Sequence, residues 1–113
     1  NLMEMVHLSD LEKVLICIGT VLTATDLPNA RTPAYVLTID FGPYGIKRSS
    51  AQITRNYNKE DLIELQVMAV MNFPEKQVGS VMSQCLVTGF PDENGHIVVA
   101  TVERKVPNGT VIR

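Results

Sequence analysis

The chain lacks the residue clusters that common metal and redox sites require. Its 113 residues include only two cysteines, Cys17 and Cys85, which lie in separate apolar runs without CxxC spacing. Its two histidines, His7 and His96, are far apart and fall in no HxxxH or HExxH frame. Isolated cysteines of this kind are typical of reduced, buried thiols in a cytosolic protein. We therefore predict no metal, no cofactor and a cytoplasmic location.

The chain also lacks the short motifs of the familiar enzyme classes. It contains no GxSxG, no phosphate-binding P-loop and no GxGxxG. Ser49 and Ser50 could supply a nucleophile, but neither histidine is near them in sequence, and small hydroxyl residues usually just line a strand. Glu60, Asp61 and Glu64 could form an acid pair, but carboxylates on a short polar turn usually face solvent. We therefore predict that the protein is not an enzyme.

Long apolar runs and a strong net charge are absent as well. No apolar run reaches the roughly 18–20 residues that a membrane-spanning helix needs, so we predict no membrane insertion. The 10 Lys and Arg residues against 12 Asp and Glu residues give a net charge of −2. Any contact with nucleic acid therefore requires a local basic patch. The length fits one domain, which we place at residues 9–113 after an N-terminal extension of residues 1–8.

Short β-branched and alternating apolar segments predict a β-rich fold. Residues 34–41 alternate, with apolar side chains at Tyr35, Leu37, Ile39 and Phe41, as a half-buried strand does. We predict the other strands at 14–25, with a bulge or a sharp bend at Gly19, and at 46–53, 66–73, 81–90 and 97–102. A capping box of Ser9 and Glu12 predicts a short helix near 9–14, and Asn58 is the predicted cap of a helical turn near 59–64. The order strand–strand–strand–helix–strand–strand predicts an all-β, five-stranded OB-fold barrel, although β-sandwiches of this size share the same spacing.

The positive charge of the chain is concentrated in one block. Residues 41–59 carry Lys47, Arg48, Arg55 and Lys59 and no acidic residue, whereas residues 1–30 carry four acidic residues and one lysine. A barrel face with basic side chains and aromatic rings can hold single-stranded nucleic acid through phosphate contacts and base stacking. Lysines also protect strand edges against aggregation, so the block has a purely structural alternative.

Several segments of the chain resemble the CsaA family of export-related chaperones. The segments are residues 47–54, 72–74, 83–89 and 106–110, which read KRSSAQIT, NFP, SQCLVTG and VPNGT. That family belongs to a wider group that includes the C-terminal tRNA-binding domain of methionyl-tRNA synthetases. The resemblance extends over about residues 10–112. It implies an OB-fold homodimer without catalytic activity, which binds tRNA and holds unfolded preproteins for export.

The resemblance also implies two sets of site residues. For tRNA or other structured RNA, it implies phosphate contacts from four basic residues and hydrogen bonds from three polar ones: Lys47, Arg48, Arg55 and Lys76, and Asn72, Ser83 and Gln84. For preprotein clients, it implies an apolar groove lined by Met71, Phe73, Met82 and Phe90. Methionine in such strands is more often core filler, so the groove has a structural alternative.

The chain departs from the family pattern in two places. Where relatives read D-I-R-x-G on the first strand, residues 15–19 read LICIG, and in the loop after Asn72 only Lys76 remains of the usual basic residues. Because these changes remove charge, two alternatives stay open: a purely peptide-binding secretion chaperone with lost RNA affinity, or a structural dimer module. Apolar residues on both faces of the 66–73 and 85–90 segments predict a homodimer in each case.

Overall fold

The computed structural model describes residues 2–113, which are built mainly from short β-strands. Within these residues there are two short helices, α1 (Leu8–Glu12) and α2 (Lys59–Leu62), and a single 3-10 turn at Gly42–Tyr44. The strands are β1 (Ile16–Asp26), β2 (Tyr35–Asp40), β3 (Ile46–Ala51), β4 (Gln66–Val70), β5 (Lys76–Val78), β6 (Val81–Ser83), β7 (Leu86–Val87), β8 (Gly89–Pro91) and β9 (Ile97–Val99). The predicted all-β class with short helices is confirmed.

The central sheet has five antiparallel strands in the order β3-β2-β1-β4-β7. Its two ends approach each other, since the backbone N–H of Gln84 donates to the Arg48 carbonyl on β3 at 2.8 Å. The sheet is therefore a nearly closed barrel. The predicted five-stranded OB-fold barrel is confirmed, and the sandwich alternative is wrong.

The core fills the inside of this barrel. Leu37, Ile39 and Phe41 are fully buried, as the alternation of their segment predicted. Cys17 and Cys85 are also buried, and neither takes part in a disulfide. Their predicted burial is therefore confirmed.

Gly19 has a different role from the predicted bulge. A Cβ atom at this position would lie 2.5 Å from a ring carbon of Phe41 and 2.6 Å from Ile39, so the glycine makes room for the core. The irregularity of β1 lies between Val21 and Thr23 instead.

A second, smaller apolar cluster lies on the other face of β2. Val36 alternates with the inward-facing residues of its strand and packs with Leu27, Ala34 and Val81. Because Val81 belongs to β6, this cluster holds the β5–β6 hairpin against the outer surface of the barrel.

The predicted helices are present with corrected boundaries. The sequence pattern Ser9-x-x-Glu12 indicates a capping box with Ser9 as N-cap, yet the N-cap is His7, two residues earlier, and the Asp10 carboxylate accepts a hydrogen bond from the His7 backbone N–H at 2.8 Å. The cap of α2 is Asn58, as predicted, and its N–H donates to the Asp61 carboxylate at 3.0 Å.

Four predicted strands are shorter or more broken than their composition suggests. The apolar run 66–73 forms a strand only as far as Val70, and the run 81–90 is divided into β6, β7 and β8. The strands predicted at 46–53 and 97–102 end at Ala51 and Val99. Apolar composition predicted burial here better than it predicted a continuous hydrogen-bonded ladder.

Candidate nucleic-acid interface

Lys47 and Arg48 lie on opposite faces of β3. Lys47 is paired with Ile39, which is fully buried, and Arg48 is paired with Thr38. Because directly paired residues share a face and successive residues alternate, Lys47 lies toward the inside of the barrel and is half-buried. Arg48 is exposed on the outside. The basic block of the sequence is therefore not one continuous surface.

The barrel closes where β3 meets residues 83–85, and we call this junction the seam. The Arg48 backbone N–H donates to the Gln84 side-chain oxygen at 3.0 Å, and the Ser50 N–H donates to the Ser83 hydroxyl at 3.1 Å. The buried Ser49 hydroxyl donates to the Cys85 carbonyl at 2.9 Å. The polar groups of Ser83 and Gln84, predicted to meet RNA, are thus occupied in closing the barrel.

Lys76 lies on the hairpin that flanks this seam. It is paired with Ser83 across the β5–β6 hairpin and is exposed. Both β3 and β5 contact β6 at the seam, so the fold places Arg48 and Lys76 on the two strands that flank β6, although 28 positions separate them in sequence.

The four cations predicted to contact phosphate have no ion-pair partner in residues 2–113. The ion pairs found there are Lys13–Asp10, Lys59–Asp26 and Arg104–Glu103. Lys47, Arg48, Arg55 and Lys76 take part in none of these pairs. Their charge is therefore available to a phosphate without first breaking a salt bridge.

Arg55 lies in the turn after β3 and is associated with a different part of the fold. The side chain of the adjacent Asn56 donates to the Asp92 carboxylate and to the Ile97 carbonyl, both at 3.1 Å. These bonds tie the turn to the β8–β9 hairpin. Arg55 is exposed there, so its phosphate contact stays a prediction separate from the seam.

The Asn72 side chain anchors the segment that leads into β1. Its amide oxygen accepts from the Leu15 N–H at 2.9 Å, and its amide nitrogen donates to the Lys13 carbonyl at 2.8 Å. Both ends of the amide are therefore engaged within the chain. The RNA contact expected of Asn72 stays a prediction.

The four residues expected to line a peptide groove lie on separate segments. Met71 is half-buried against the main core, whereas Phe73, Met82 and Phe90 are 53%, 38% and 70% exposed. Phe90 is paired with the exposed Val98 on the β8–β9 hairpin. The structure therefore offers exposed apolar side chains at several places, and their groove stays a prediction.

Two clefts of the structure escaped the sequence reasoning. An apolar groove of about 160 Å³ lies between β1 and the C-terminal segment, and its lining includes Ile16, Met68 and Ile112. A more polar cleft of about 480 Å³ is lined in part by Gln66 and Asn108. The sequence signal for the polar cleft was Gln66 at the start of an apolar strand, because a buried amide needs hydrogen-bond partners.

That glutamine fixes the C-terminal segment to the barrel. Gln66 is buried, its amide nitrogen donates to the Val106 carbonyl at 2.7 Å, and its oxygen accepts from the Val106 N–H at 3.0 Å. The Asn108 side-chain oxygen accepts from Thr20 at 2.7 Å in the same cleft. The VPNGT segment is thus held by side chains that are distant in sequence.

The cysteine thiols are poorly suited to nucleophilic chemistry. Burial raises the pKa of Cys85 to about 11, and burial also raises the pKa of Cys17. A thiol with a raised pKa is protonated near neutral pH, and only the thiolate is a strong nucleophile or metal ligand.

Within residues 2–113, no group of three or more His, Cys, Asp or Glu side chains could hold a metal ion. No helix in this part of the chain is long and apolar enough to span a membrane.

Comparison with known proteins identifies the family. Residues 16–111 match the family model described as "Putative tRNA binding domain". The chain belongs to this tRNA-binding-domain family. Among curated relatives, it is 28% identical to the methionine–tRNA ligase of Methanocaldococcus jannaschii, over 98% of this chain and 17% of the ligase. The chain thus spans about a sixth of the length of that relative.

Solved structures place CsaA chaperones among the similar folds. The chaperone CsaA from Bacillus anthracis strain Ames is 45% identical, with 97% of this chain and 100% of that chain covered and a TM-score of 0.90. The CsaA chaperone protein from Picrophilus torridus is 39% identical, with 96% and 100% covered and a TM-score of 0.88. The resemblance to the CsaA family within the tRNA-binding-domain group is therefore confirmed.

Proposed function

We propose that this protein is a non-catalytic RNA-binding protein of the CsaA type, which binds tRNA or another structured RNA at the seam. One observation carries the proposal: Arg48 and Lys76 are exposed on β3 and β5, the two strands that contact β6 at the seam, and neither is in an ion pair within residues 2–113. Because the net charge is −2, such a local patch is the part of the surface that can attract phosphate.

The salt dependence of binding to fluorescent tRNA tests this proposal. Each phosphate contact contributes roughly 0.7–0.9 to the slope of log affinity against log salt concentration. We expect Arg48→Ala with Lys76→Ala to reduce the slope by about 1.5 and to weaken binding at low salt. The measurement is fluorescence anisotropy at several salt concentrations, with circular dichroism to verify folding.

A double variant with the same change in net charge serves as the control. Lys13→Ala with Arg104→Ala removes two cations that are already paired, with Asp10 and Glu103. We expect this control to keep the slope of the unmodified protein. Equal loss of slope in both double variants would mean that overall charge, and not the seam, attracts the RNA.

A second proposed activity is the holding of unfolded preproteins for export, in the cytoplasm. It is supported by the exposed Phe73, Met82 and Phe90 and by the similarity to CsaA chaperones. We expect the protein to delay aggregation of an unfolded reporter with little dependence on salt, since apolar burial is not screened. Phe73→Ser with Phe90→Ser should weaken this effect. Tyr44→Ser, which removes another exposed aromatic ring, is the control.

We also propose that the protein is a homodimer. Apolar side chains are widely exposed. Leu86 is 49% exposed and Phe90 is 70% exposed, and near the N-terminus the exposed fraction is 70–93% at Leu2, Met3, Met5 and Val6. Such extensive apolar exposure is uncommon on a lone domain. A second copy that presents the same surface is the simplest cover. Size-exclusion chromatography with light scattering should give twice the 12.5 kDa of one chain. A stable particle with the mass of one chain at micromolar concentration would contradict the dimer.

A further inference from the structure

The chain contains two Asn-Gly pairs, Asn94-Gly95 and Asn108-Gly109, in contrasting surroundings. In an Asn-Gly pair, the glycine nitrogen can attack the asparagine side-chain carbonyl, because glycine has no Cβ to obstruct the approach and has a freely variable backbone. The two pairs share this local chemistry. Any difference in their reactivity must therefore come from the folded structure.

The structure holds Asn108 firmly. Its side-chain oxygen accepts hydrogen bonds from Thr20 at 2.7 Å and from Gln66 at 3.2 Å. The Gly109 N–H donates to the Ile18 carbonyl at 2.7 Å, and a Cβ at Gly109 would lie only 2.6 Å from the Phe41 carbonyl oxygen. The amide and the attacking nitrogen are therefore both fixed in tightly packed surroundings.

Asn94 lies exposed in the turn of the β8–β9 hairpin. Its side chain makes no hydrogen bond within residues 2–113, and a Cβ at Gly95 would meet no atom within 4 Å. One hydrogen bond, from the Gly95 N–H to the Asp92 carbonyl at 2.9 Å, restrains the attacking nitrogen. A hairpin turn at the surface opens at lower free energy than a packed segment does.

We propose that Asn94 is a site of spontaneous deamidation in the native protein, and that Asn108 is protected. The Gly95 nitrogen forms a bond to the Asn94 side-chain carbonyl carbon and gives its proton to water. The amide nitrogen takes up a proton from water, the bond from that carbon to the amide nitrogen breaks, and ammonia leaves. Water then hydrolyses the resulting five-membered imide at either carbonyl, which yields aspartate or isoaspartate. No atom changes its oxidation state.

The modification adds negative charge at a turn that already carries Asp92 and Glu93. Isoaspartate also lengthens the backbone by one carbon. The Asn94 and His96 N–H groups that donate to the Asp92 carboxylate, at 2.9 and 3.0 Å, can then no longer keep their spacing. The hairpin and its bonds to Asn56 should loosen as a result.

Peptide mapping of the aged native protein tests the proposal. Trypsin separates the two sites, since Asn94 falls in the peptide of residues 77–104 and Asn108 in that of residues 106–113. After incubation at mildly alkaline pH, we expect the mass change from amide to carboxyl to accumulate at least about tenfold faster at Asn94, because Asn108 must lose two more hydrogen bonds. The same incubation in denaturant should bring the two rates together.

Two results would overturn the proposal. One is conversion of Asn108 at the rate of Asn94 in the native protein. The other is an Asn94 that stays intact when native but converts readily in denaturant, which would show that the turn is too rigid for imide formation. Asn94→Gln lengthens the side chain by one carbon and adds no charge. It should abolish the mass change in the peptide of residues 77–104 and leave that in the peptide of residues 106–113 unaltered.

Discussion

The β2–β3 side of the barrel and the side that contains the seam are held together by different means. The β2–β3 pair has six consecutive residue pairs without any irregularity, from Tyr35 with Ala51 to Asp40 with Ile46. The β5–β6 pair has three residue pairs and the β4–β7 pair only two. On this second side, the Ser49, Ser83 and Gln84 side chains supply part of the bonding that a continuous backbone ladder supplies on the first.

This difference explains why binding residues are hard to recognise on the second side. A serine or glutamine at the start of a short strand can bind a ligand or can replace a missing backbone partner. Here the Ser83 and Gln84 side chains accept hydrogen bonds from the β3 backbone, whereas Arg48 and Lys76 are exposed. The RNA contacts expected of all four residues stay predictions. Where the backbone hydrogen-bond ladder is interrupted, polar side chains that replace its bonds are less available to bind a ligand.

The largest expected effect compares leucines from the two sides. Leu37 on β2 is fully buried, whereas Leu86 on β7 is 49% exposed. Leu37→Ala should lower the free energy of unfolding by about 3 kcal/mol through lost burial and a cavity. Leu86→Ala should lower it by about 1 kcal/mol or less. Urea unfolding at one fixed protein concentration measures both; equal losses would mean that Leu86 is covered in solution, as in a dimer.

An intermediate effect is expected at the seam. Gln84→Ala leaves the Arg48 N–H without its side-chain acceptor and should lower the free energy of unfolding by about 1 kcal/mol. Gln77→Ala is the matched control, because the Gln77 amide donates only within its own hairpin, to Gly79 at 2.7 Å. The control should lose about 0.5 kcal/mol or less. If both variants lose the same amount in urea unfolding, side-chain closure of the barrel contributes nothing specific.

The smallest expected effect is the pH dependence of the β8–β9 hairpin. The Asn56 side chain, followed by the backbone N–H groups of His96 and Asn94, lowers the pKa of Asp92 below its ordinary value. Stabilisation by this carboxylate is therefore present above the unfolded-state pKa and is lost as pH falls through the folded-state pKa. We expect acid to lower the hydrogen-exchange protection of residues 89–99, measured against the intrinsic exchange rate at each pH.

The matched variant for this experiment is Asp92→Asn. Its amide oxygen can still accept from the turn N–H groups but does not titrate in this range. The protection of residues 89–99 should change less with pH in the variant than in the unmodified protein. An unaltered pH dependence would assign the effect to another group, such as Glu103, whose pKa the adjacent Arg104 also lowers.

The sequence was most informative where local patterns and tertiary structure agree. The alternation from Tyr35 to Phe41 gave both the strand and its inward face, and Asn58 gave the start of α2. The strand boundaries after Val70 and within 81–90 could not be predicted, because apolar composition reports burial and not the presence of a hydrogen-bonding neighbour. In the candidate site, the bonds from the β3 backbone to Ser83 and Gln84 could not be predicted, because the two segments meet only when the barrel closes. The RNA contacts of the site residues stay predictions.

The sequence by itself determined the class of the fold, the burial of Cys17 and Cys85, and the membership of the family, since each depends on local periodicity or on motifs. Only the tertiary structure decided that Lys47 lies inward and Arg48 outward, and that Lys76 joins Arg48 at the seam. The reason is physical. Strand register turns neighbouring side chains to opposite faces, and barrel closure brings together residues that no local pattern relates.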